Sequence, residues 1–141
     1  MSYLIDTNVL SELRRKKPDP KVVNWLSQRP PSQLYVSVLT LGEIRKGIEQ
    51  LGMTDVTRKA ALLDWLEMEL PRYFGQRLLG IDANVAETWG KLVAKAGRPL
   101  PAIDSLLAAT AITHQLVVVT RNTKDFSDME VDVLDPWQAK T

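Results

Sequence analysis

The chain has 141 residues, of which 45% are hydrophobic and 25% are charged, and its formal net charge is +1. This size and composition predict one globular domain over residues 1–141 and exclude an extensively disordered chain. The balanced charge excludes a protein that attracts nucleic acid by its overall charge alone, so any basic binding surface must be local.

The chain contains no cysteine and a single histidine, His114. Disulfides, a thiol nucleophile and a zinc site built from several histidines are therefore excluded. The first residues do not form a basic stretch followed by a long apolar one, and no segment has the roughly 18 apolar residues expected of a membrane helix. We expect a cytoplasmic protein without a secretory signal or a membrane span.

Apolar runs that are typical of short buried strands alternate with patterns that are typical of helices. The strands are predicted at residues 3–5, 34–37, 78–81, 116–120 and 131–134. The helices are predicted at residues 6–15, 21–28, 38–51, 55–69, 82–97 and 101–114. The stretch from Thr54 to Tyr73 is interpreted as an inserted helical arm, and its helix is predicted to end at Pro71.

Two patterns carry this assignment. The run Leu116–Thr120 is continuous and β-branched, which is typical of a strand buried on both faces. In contrast, apolar residues recur along one face of a helix at Leu41, Ile44, Ile48 and Leu51. Strands that alternate with helices in this way predict an α/β fold, in which helices cover a mainly parallel sheet.

Three acidic residues lie in apolar stretches, where carboxylates are least expected. Asp6 ends the first strand, and Glu43 and Asp104 lie near the starts of predicted helices. Carboxylates are seldom buried without a partner, and the carboxyl ends of parallel strands share one edge of a sheet. If folding brings these three together, their repulsion calls for a cation, which indicates a divalent-metal site and phosphoryl chemistry.

Each acid also has a purely structural interpretation. Asp6 suits the N-cap of the first helix. Glu43 suits a capping box with Thr40, although Ser37 is an alternative cap that would move Glu43 into the second turn. Asp104 suits the positive end of a helix that starts after Pro101. The residues alone leave the choice between three caps and one metal site open.

Four segments carry motifs that span nearly the whole chain, namely Leu4–Glu12, Ser37–Gly47, Ala102–Ala111 and Val119–Phe126. In this order they resemble the PIN-domain nucleases, in particular the VapC-type toxins of bacterial toxin–antitoxin pairs. The resemblance implies a three-layer α/β/α fold with about five strands. It also implies a ribonuclease that depends on Mg²⁺, or alternatively on Mn²⁺, and hydrolyses RNA phosphodiester bonds by metal-activated water. A cognate antitoxin and a homodimer are implied as well.

By the same resemblance, the family's acids correspond to Asp6, Glu43 and Asp104. We assign Asp6 and Asp104 as direct metal ligands, and Glu43 to a second ion or to the orientation of a metal-held water. Where the family often has a fourth acid, this chain has Asn122, which forms hydrogen bonds but adds no charge. Asp125, three residues on, either compensates for this or caps the local turn, and the cap is the favoured interpretation.

Two other functions are compatible with parts of the sequence. A non-catalytic PIN-like module that binds RNA or protein is compatible with Asn122 in place of an acid. A receiver-like signalling domain also has an acidic, magnesium-binding pocket, but it requires a lysine at the end of the last strand and a phosphoacceptor aspartate. Only Lys124 and Asp82 approach these positions.

The basic residues are interpreted individually. The run Arg14–Lys17 is interpreted as a solvated helix end, whereas Arg45 and Lys46 are better placed to reach RNA. Arg121 either holds a phosphate or pairs with Asp125.

Overall fold

The protein is described here by a computed structural model that places residues 1–53 and 55–139. Five parallel strands form one sheet in the order β3-β2-β1-β4-β5. Their bounds are Tyr3–Ile5 (β1), Leu34–Ser37 (β2), Leu78–Leu79 (β3), Val117–Val119 (β4) and Val133–Leu134 (β5). This confirms the predicted α/β fold and the mainly parallel sheet of about five strands.

Helices follow or separate these strands. Their bounds are Thr7–Glu12 (α1), Pro20–Ser27 (α2), Val38–Glu49 (α3), Val56–Asp64 (α4), Leu70–Phe74 (α5), Ala83–Ala96 (α6) and Ala102–His114 (α7). A π-helical turn, Trp65–Glu69, joins α4 to α5. Within the ranges placed by the structure, no helix is long and apolar enough to cross a membrane.

The side chains of the sheet alternate between two hydrophobic layers. Tyr3 and Ile5 point to a layer that contains Trp25 and Ile44 from the helices α2 and α3. Leu4, between them, points to the opposite layer, where Leu107 of α7 packs. This alternation is the two-residue period of a strand, and it gives the three-layer α/β/α arrangement.

The first helix is shorter than predicted. It ends at Glu12 rather than near Arg15, and the next backbone bonds span three residues, from Arg14 N to Ser11 O and from Arg15 N to Glu12 O. The buried carboxylate of Glu12 accepts the backbone N–H of Asp19 at 2.8 Å. This bond fixes the return of the chain, and local sequence patterns do not reveal it.

The prediction that Pro71 ends a helix is wrong. Pro71 is the second residue of α5, and the N–H of Leu70 before it bonds to the carbonyl of Trp65, five residues back. Inside a regular α-helix a proline removes one backbone hydrogen bond and clashes with the carbonyl four residues back, but the turn before Pro71 is π-helical rather than α-helical. The wide π turn therefore carries the helix on to Phe74.

The predicted arm is part of the core. The side chains of Trp65, Leu66, Leu70 and Phe74 are buried among those of β1, β2 and α3. The helical character of this stretch is as predicted, and its buried side chains pack on the sheet. Thr54, the first residue of the predicted arm, lies outside the described residues.

Candidate active site

Asp6 lies directly after β1, and the chain fixes both of its carboxylate oxygens. Its Oδ1 accepts the backbone N–H of Thr7 at 2.7 Å, so Asp6 is the N-cap of α1. Its Oδ2 accepts the hydroxyl of Thr120 at 2.9 Å and the side-chain amide of Asn8 at 3.3 Å. Because the side chain is only 7% exposed, these bonds hold a buried charge in one orientation.

The neighbouring strands β1 and β4 bring Thr120 to Asp6. The hydroxyl of Thr120, which is fully buried, also accepts the side-chain amide of Asn8 at 3.2 Å and the backbone N–H of Asn122 at 3.1 Å. The side-chain oxygen of Asn8 in turn accepts the backbone N–H of Arg121 at 3.2 Å. Because β1 and β4 are neighbours, the carboxyl ends of the first and fourth strands share one mouth at that edge of the sheet.

Glu43 reaches the same mouth from α3. The N-cap of this helix is Ser37, whose hydroxyl accepts the N–H of Leu39 at 3.1 Å. The capping box with Thr40 is therefore wrong, and Glu43 lies in the second turn. There its Oε1 accepts the hydroxyl of Thr7 at 2.5 Å, so Thr7 links Glu43 to the first motif.

Asp104, the third residue of α7, is held differently. No group within residues 1–53 and 55–139 donates a hydrogen bond to its side chain, so the backbone of α7 sets its position. The next residue, Ser105, is buried and accepts the indole N–H of Trp89 at 2.9 Å, which ties the first turn of α7 to α6. No local sequence pattern indicates this contact, because it joins two helices across an interface.

The charges of the acids reach one another. Burial raises the pKa of Asp6 above its ordinary value, and Glu43 and Asp125 raise it further, against the lowering effect of the bonds from Thr120 and Thr7. The pKa of Asp104 is raised to about 6, by desolvation first and then by the charges of Asp6, Asp125 and Glu43. Folding therefore brings the three predicted acids close enough to repel.

Asn122 and Asp125, which both follow β4, differ in how they contribute to the acidic mouth. The side chain of Asn122 is exposed, and only its backbone N–H contacts the group around Thr120. Asp125 lies in a 3₁₀ turn, Thr123–Phe126, for which its side chain supplies no cap in the described part of the chain. The favoured capping role is thus wrong, and the charge of Asp125 acts on Asp6 and Asp104 instead.

Arg121 does not pair with Asp125 either. Its guanidinium lies over the indole ring of Trp137, 4.9 Å from the ring centroid. Such a cation–π contact holds the side chain in place while its N–H groups stay available.

The donors at this mouth suit a hard divalent cation. They are oxygen atoms, and no lysine or arginine of the described residues forms an ion pair with Asp6, Glu43, Asp104 or Asp125. Residues 1–53 and 55–139 contain no group of three or more His, Cys, Asp or Glu that could hold one ion. Mg²⁺ does not require one, since it commonly takes one or two carboxylates and completes its shell with water and phosphate.

The chain is similar to known proteins along almost its whole length. A model of the PIN domain family matches residues 3–131. Toxin FitB of Neisseria gonorrhoeae is 36% identical over 137 residues, which cover 95% of this chain and 97% of FitB. VapC ribonuclease Y4jK of Sinorhizobium fredii is 32% identical over 138 residues, which cover 96% of this chain and 97% of the relative.

Solved structures share the fold. The crystal structure of FitAcB from Neisseria gonorrhoeae contains a chain that superposes with a TM-score of 0.86 at 34% identity, covering 97% of this chain and 99% of that one. A toxin–antitoxin complex from Klebsiella pneumoniae superposes with a TM-score of 0.66 at 26% identity, covering 96% of this chain and 98% of that one.

Proposed function

This chain belongs to the PIN-domain family, and we propose from that membership that it is the ribonuclease toxin of a toxin–antitoxin pair, cutting RNA with the help of Mg²⁺ or Mn²⁺. The observation that carries the proposal is the placement of the acids at the carboxyl edge of the sheet, where Thr7 bonds to both Asp6 and Glu43. The charges of these two acids also raise the pKa of Asp104. Relatives over its full length are named a toxin and a ribonuclease.

The acids have separate roles in this proposal. Asp6 and Asp104 hold the cation, because one is oriented by hydrogen bonds and the other carries an unpartnered charge close to it. When bound, the cation makes water a better nucleophile near neutral pH and neutralises charge on the phosphate. Asp125 supplies charge that Asn122 lacks, and the exposed amide of Asn122 is free to donate a hydrogen bond to a phosphate oxygen.

Glu43 orients the attacking water or helps to hold a second ion. Its Oε1 is engaged by Thr7, which leaves Oε2 free to accept a proton from the water. The water oxygen attacks phosphorus in line, the P–O3′ bond breaks, and O3′ takes a proton from solvent. The products are a 5′-phosphate and a 3′-hydroxyl. No histidine takes part, in keeping with the exposed position of His114 at the end of α7.

A cognate antitoxin is the proposed protein partner, since a nuclease that cuts cellular RNA must be restrained. An apolar cavity of about 480 Å³ between α1, α2 and α5 supports this, and it is lined by residues that include Leu10, Leu26, Trp65 and Phe74. A segment of the antitoxin would occupy this groove and obstruct the acidic mouth. We also propose a homodimer. The apolar residues of α2 do not provide a surface for it, because Val22 and Trp25 are buried in the protein's own core.

The proposal is tested by incubating purified protein with labelled total RNA in Mg²⁺, in Mn²⁺ and in EDTA, beside an Asp6→Asn variant. Cleavage by the wild type in either metal, and none in EDTA or by the variant, is the expected result. RNA retention without cleavage in any metal would favour the alternative, a non-catalytic PIN-like binding module. The receiver-like alternative requires a phosphoacceptor aspartate, for which Asp82 was the candidate. Asp82 instead caps α6 by accepting the N–H of Val85 at 3.0 Å, which argues against that alternative.

A further inference from the structure

A second cavity, of about 200 Å³, opens beside Glu43 and contains a cluster of arginines. It lies between α1, α3 and α4, and Thr7 of the candidate active site also lines it. Among the described residues that line it, Arg14, Arg15 and Arg58 are basic and Glu43 alone is acidic. A positive cavity that touches an acidic site is suited to a ligand that carries negative charge beyond the reacting group.

Two of these arginines have no anionic partner within residues 1–53 and 55–139. The guanidinium of Arg14 lies over the ring of Trp65, 5.2 Å from its centroid, and Arg58 is exposed on α4. In contrast, Arg15 is paired with the buried Glu12 at 3.2 Å. Arg14 is thus held on an aromatic face with its N–H groups unused, which is the arrangement that suits phosphate recognition.

A second arginine, Arg121, lies over a tryptophan ring in the same way. Arg121 follows β4 and lies over Trp137 at 4.9 Å, and it has no ion pair in the described part of the chain. In the strand order, β1 with Asp6 lies between β2, which leads to Glu43, and β4, which leads to Arg121. Arginines that contact tryptophan rings therefore lie on the Glu43 side of Asp6 and on its β4 side.

We propose that the RNA backbone crosses the acidic mouth between these arginines, with Arg14 and Arg58 binding a phosphate on one side of the cleaved bond and Arg121 binding a phosphate on the other. The inference rests on the proposed ribonuclease function. It solves a problem that the acids create, because a polyanion is repelled by clustered carboxylates unless nearby cations bind its flanking phosphates. It also revises the interpretation of Arg14 as part of a merely solvated helix end.

The test is steady-state cleavage of a labelled RNA that the wild type cuts, measured for Arg14→Ala, Arg58→Ala and Arg121→Ala. The matched control is Lys91→Ala, which removes one exposed positive charge from α6 in the layer on the other face of the sheet. Arg14→Lys retains the charge but not the planar guanidinium. Melting temperatures identify any variant that is destabilised. If Arg14→Ala does not fold, Arg58→Ala tests the same cavity, because Arg58 is exposed and has no ion pair among the described residues.

We expect each arginine variant to raise KM by about tenfold, with kcat within about twofold, and Arg14→Lys to recover part of the loss. The slope of log(kcat/KM) against log(salt) should become shallower by about one for each phosphate contact removed. Lys91→Ala should match the wild type in both measurements.

If the arginine variants match Lys91→Ala in KM and in salt dependence while the wild type cleaves RNA, this inference is overturned and the proposed function stands. The arginines would then suit an acidic segment of a protein partner. If the folded wild type cleaves no RNA in Mg²⁺ or Mn²⁺, the proposed function fails and this inference fails with it.

Discussion

The hydroxyl of Thr7 donates a hydrogen bond of 2.5 Å to Oε1 of Glu43 and joins residues that are 36 positions apart in the chain. The backbone N–H of the same threonine bonds to Asp6 at 2.7 Å. Thr7 therefore sets the spacing between two of the proposed catalytic carboxylates.

Replacing Thr7 with Val should slow cleavage by misplacing Glu43. Valine keeps the shape of the side chain and the backbone bond to Asp6, but it removes the hydroxyl donor. A lost hydrogen bond to a charged group costs about 1.5–3 kcal/mol, so kcat should fall by roughly 10- to 100-fold with little change in KM.

Thr7→Ser, which restores the hydroxyl, is the matched control and should retain most of the activity. Both variants are compared by steady-state cleavage of a labelled RNA and by thermal melting. Wild-type kcat in Thr7→Val would show that Glu43 needs no support from Thr7.

Asp125 should matter for cation binding although it is exposed. Its charge acts on both Asp6 and Asp104, so Asp125→Asn should raise the Mg²⁺ concentration for half-maximal activity by about fivefold, roughly 1 kcal/mol. Asn122→Asp should lower that concentration, because it adds a carboxylate at the same mouth.

The control is Asp128→Asn, which removes a nearby exposed acid that is paired with Arg98 at 2.5 Å. A Mg²⁺ titration of RNA cleavage measures all three variants. If Asp125→Asn and Asp128→Asn require the same Mg²⁺ concentration as the wild type, Asp125 takes no part in holding the cation.

The stability of the metal-free protein should fall as the pH rises through about 6. The pKa of Asp104 is raised from 3.8 to about 6 in the folded protein, so between these values the folded state binds more protons than the unfolded state. Folding is then favoured at low pH, and that advantage is lost above the folded pKa. Because Asp104 is partly exposed and solvent screens its charge, we expect on the order of 1 kcal/mol.

The measurement is the free energy of unfolding in EDTA between about pH 5 and pH 8. Asp104→Asn should flatten this part of the profile, because the amide does not titrate. Stability that rises from pH 5 to pH 8 by the same amount in both proteins would contradict the assigned repulsion.

Much of the fold follows from local patterns in the sequence. The strand Val117–Val119 lies inside the predicted run of valines, and α6 is bounded as predicted by the Asp82 cap and by Gly97 at a φ of 67°. Elements of this kind are fixed by nearby residues. The end of α1 and the π turn before Pro71 were missed, because each depends on burial or on a bond to a distant part of the chain.

The residues of the candidate site also differ in whether local sequence indicates them. Asp6, Glu43 and Asp104 could be selected from their apolar surroundings and their motifs. The sequence does not indicate the contact between Trp89 and Ser105 that supports Asp104. Nor does it indicate that the charge of Asp125 acts on Asp6 and Asp104. Both effects arise only when separate elements pack together.

The role of the acids in holding the cation is tested most directly by the activity of Asp104→Asn beside the wild type. Both proteins are purified identically, free of any antitoxin, and assayed on labelled RNA in Mg²⁺. We expect no detectable cleavage by the variant. In EDTA above about pH 6, its melting temperature should be at least equal to that of the wild type, because the substitution removes a repelled charge and no hydrogen bond. Cleavage by a folded Asp104→Asn protein at the wild-type rate would show that these acids do not hold the catalytic cation as proposed.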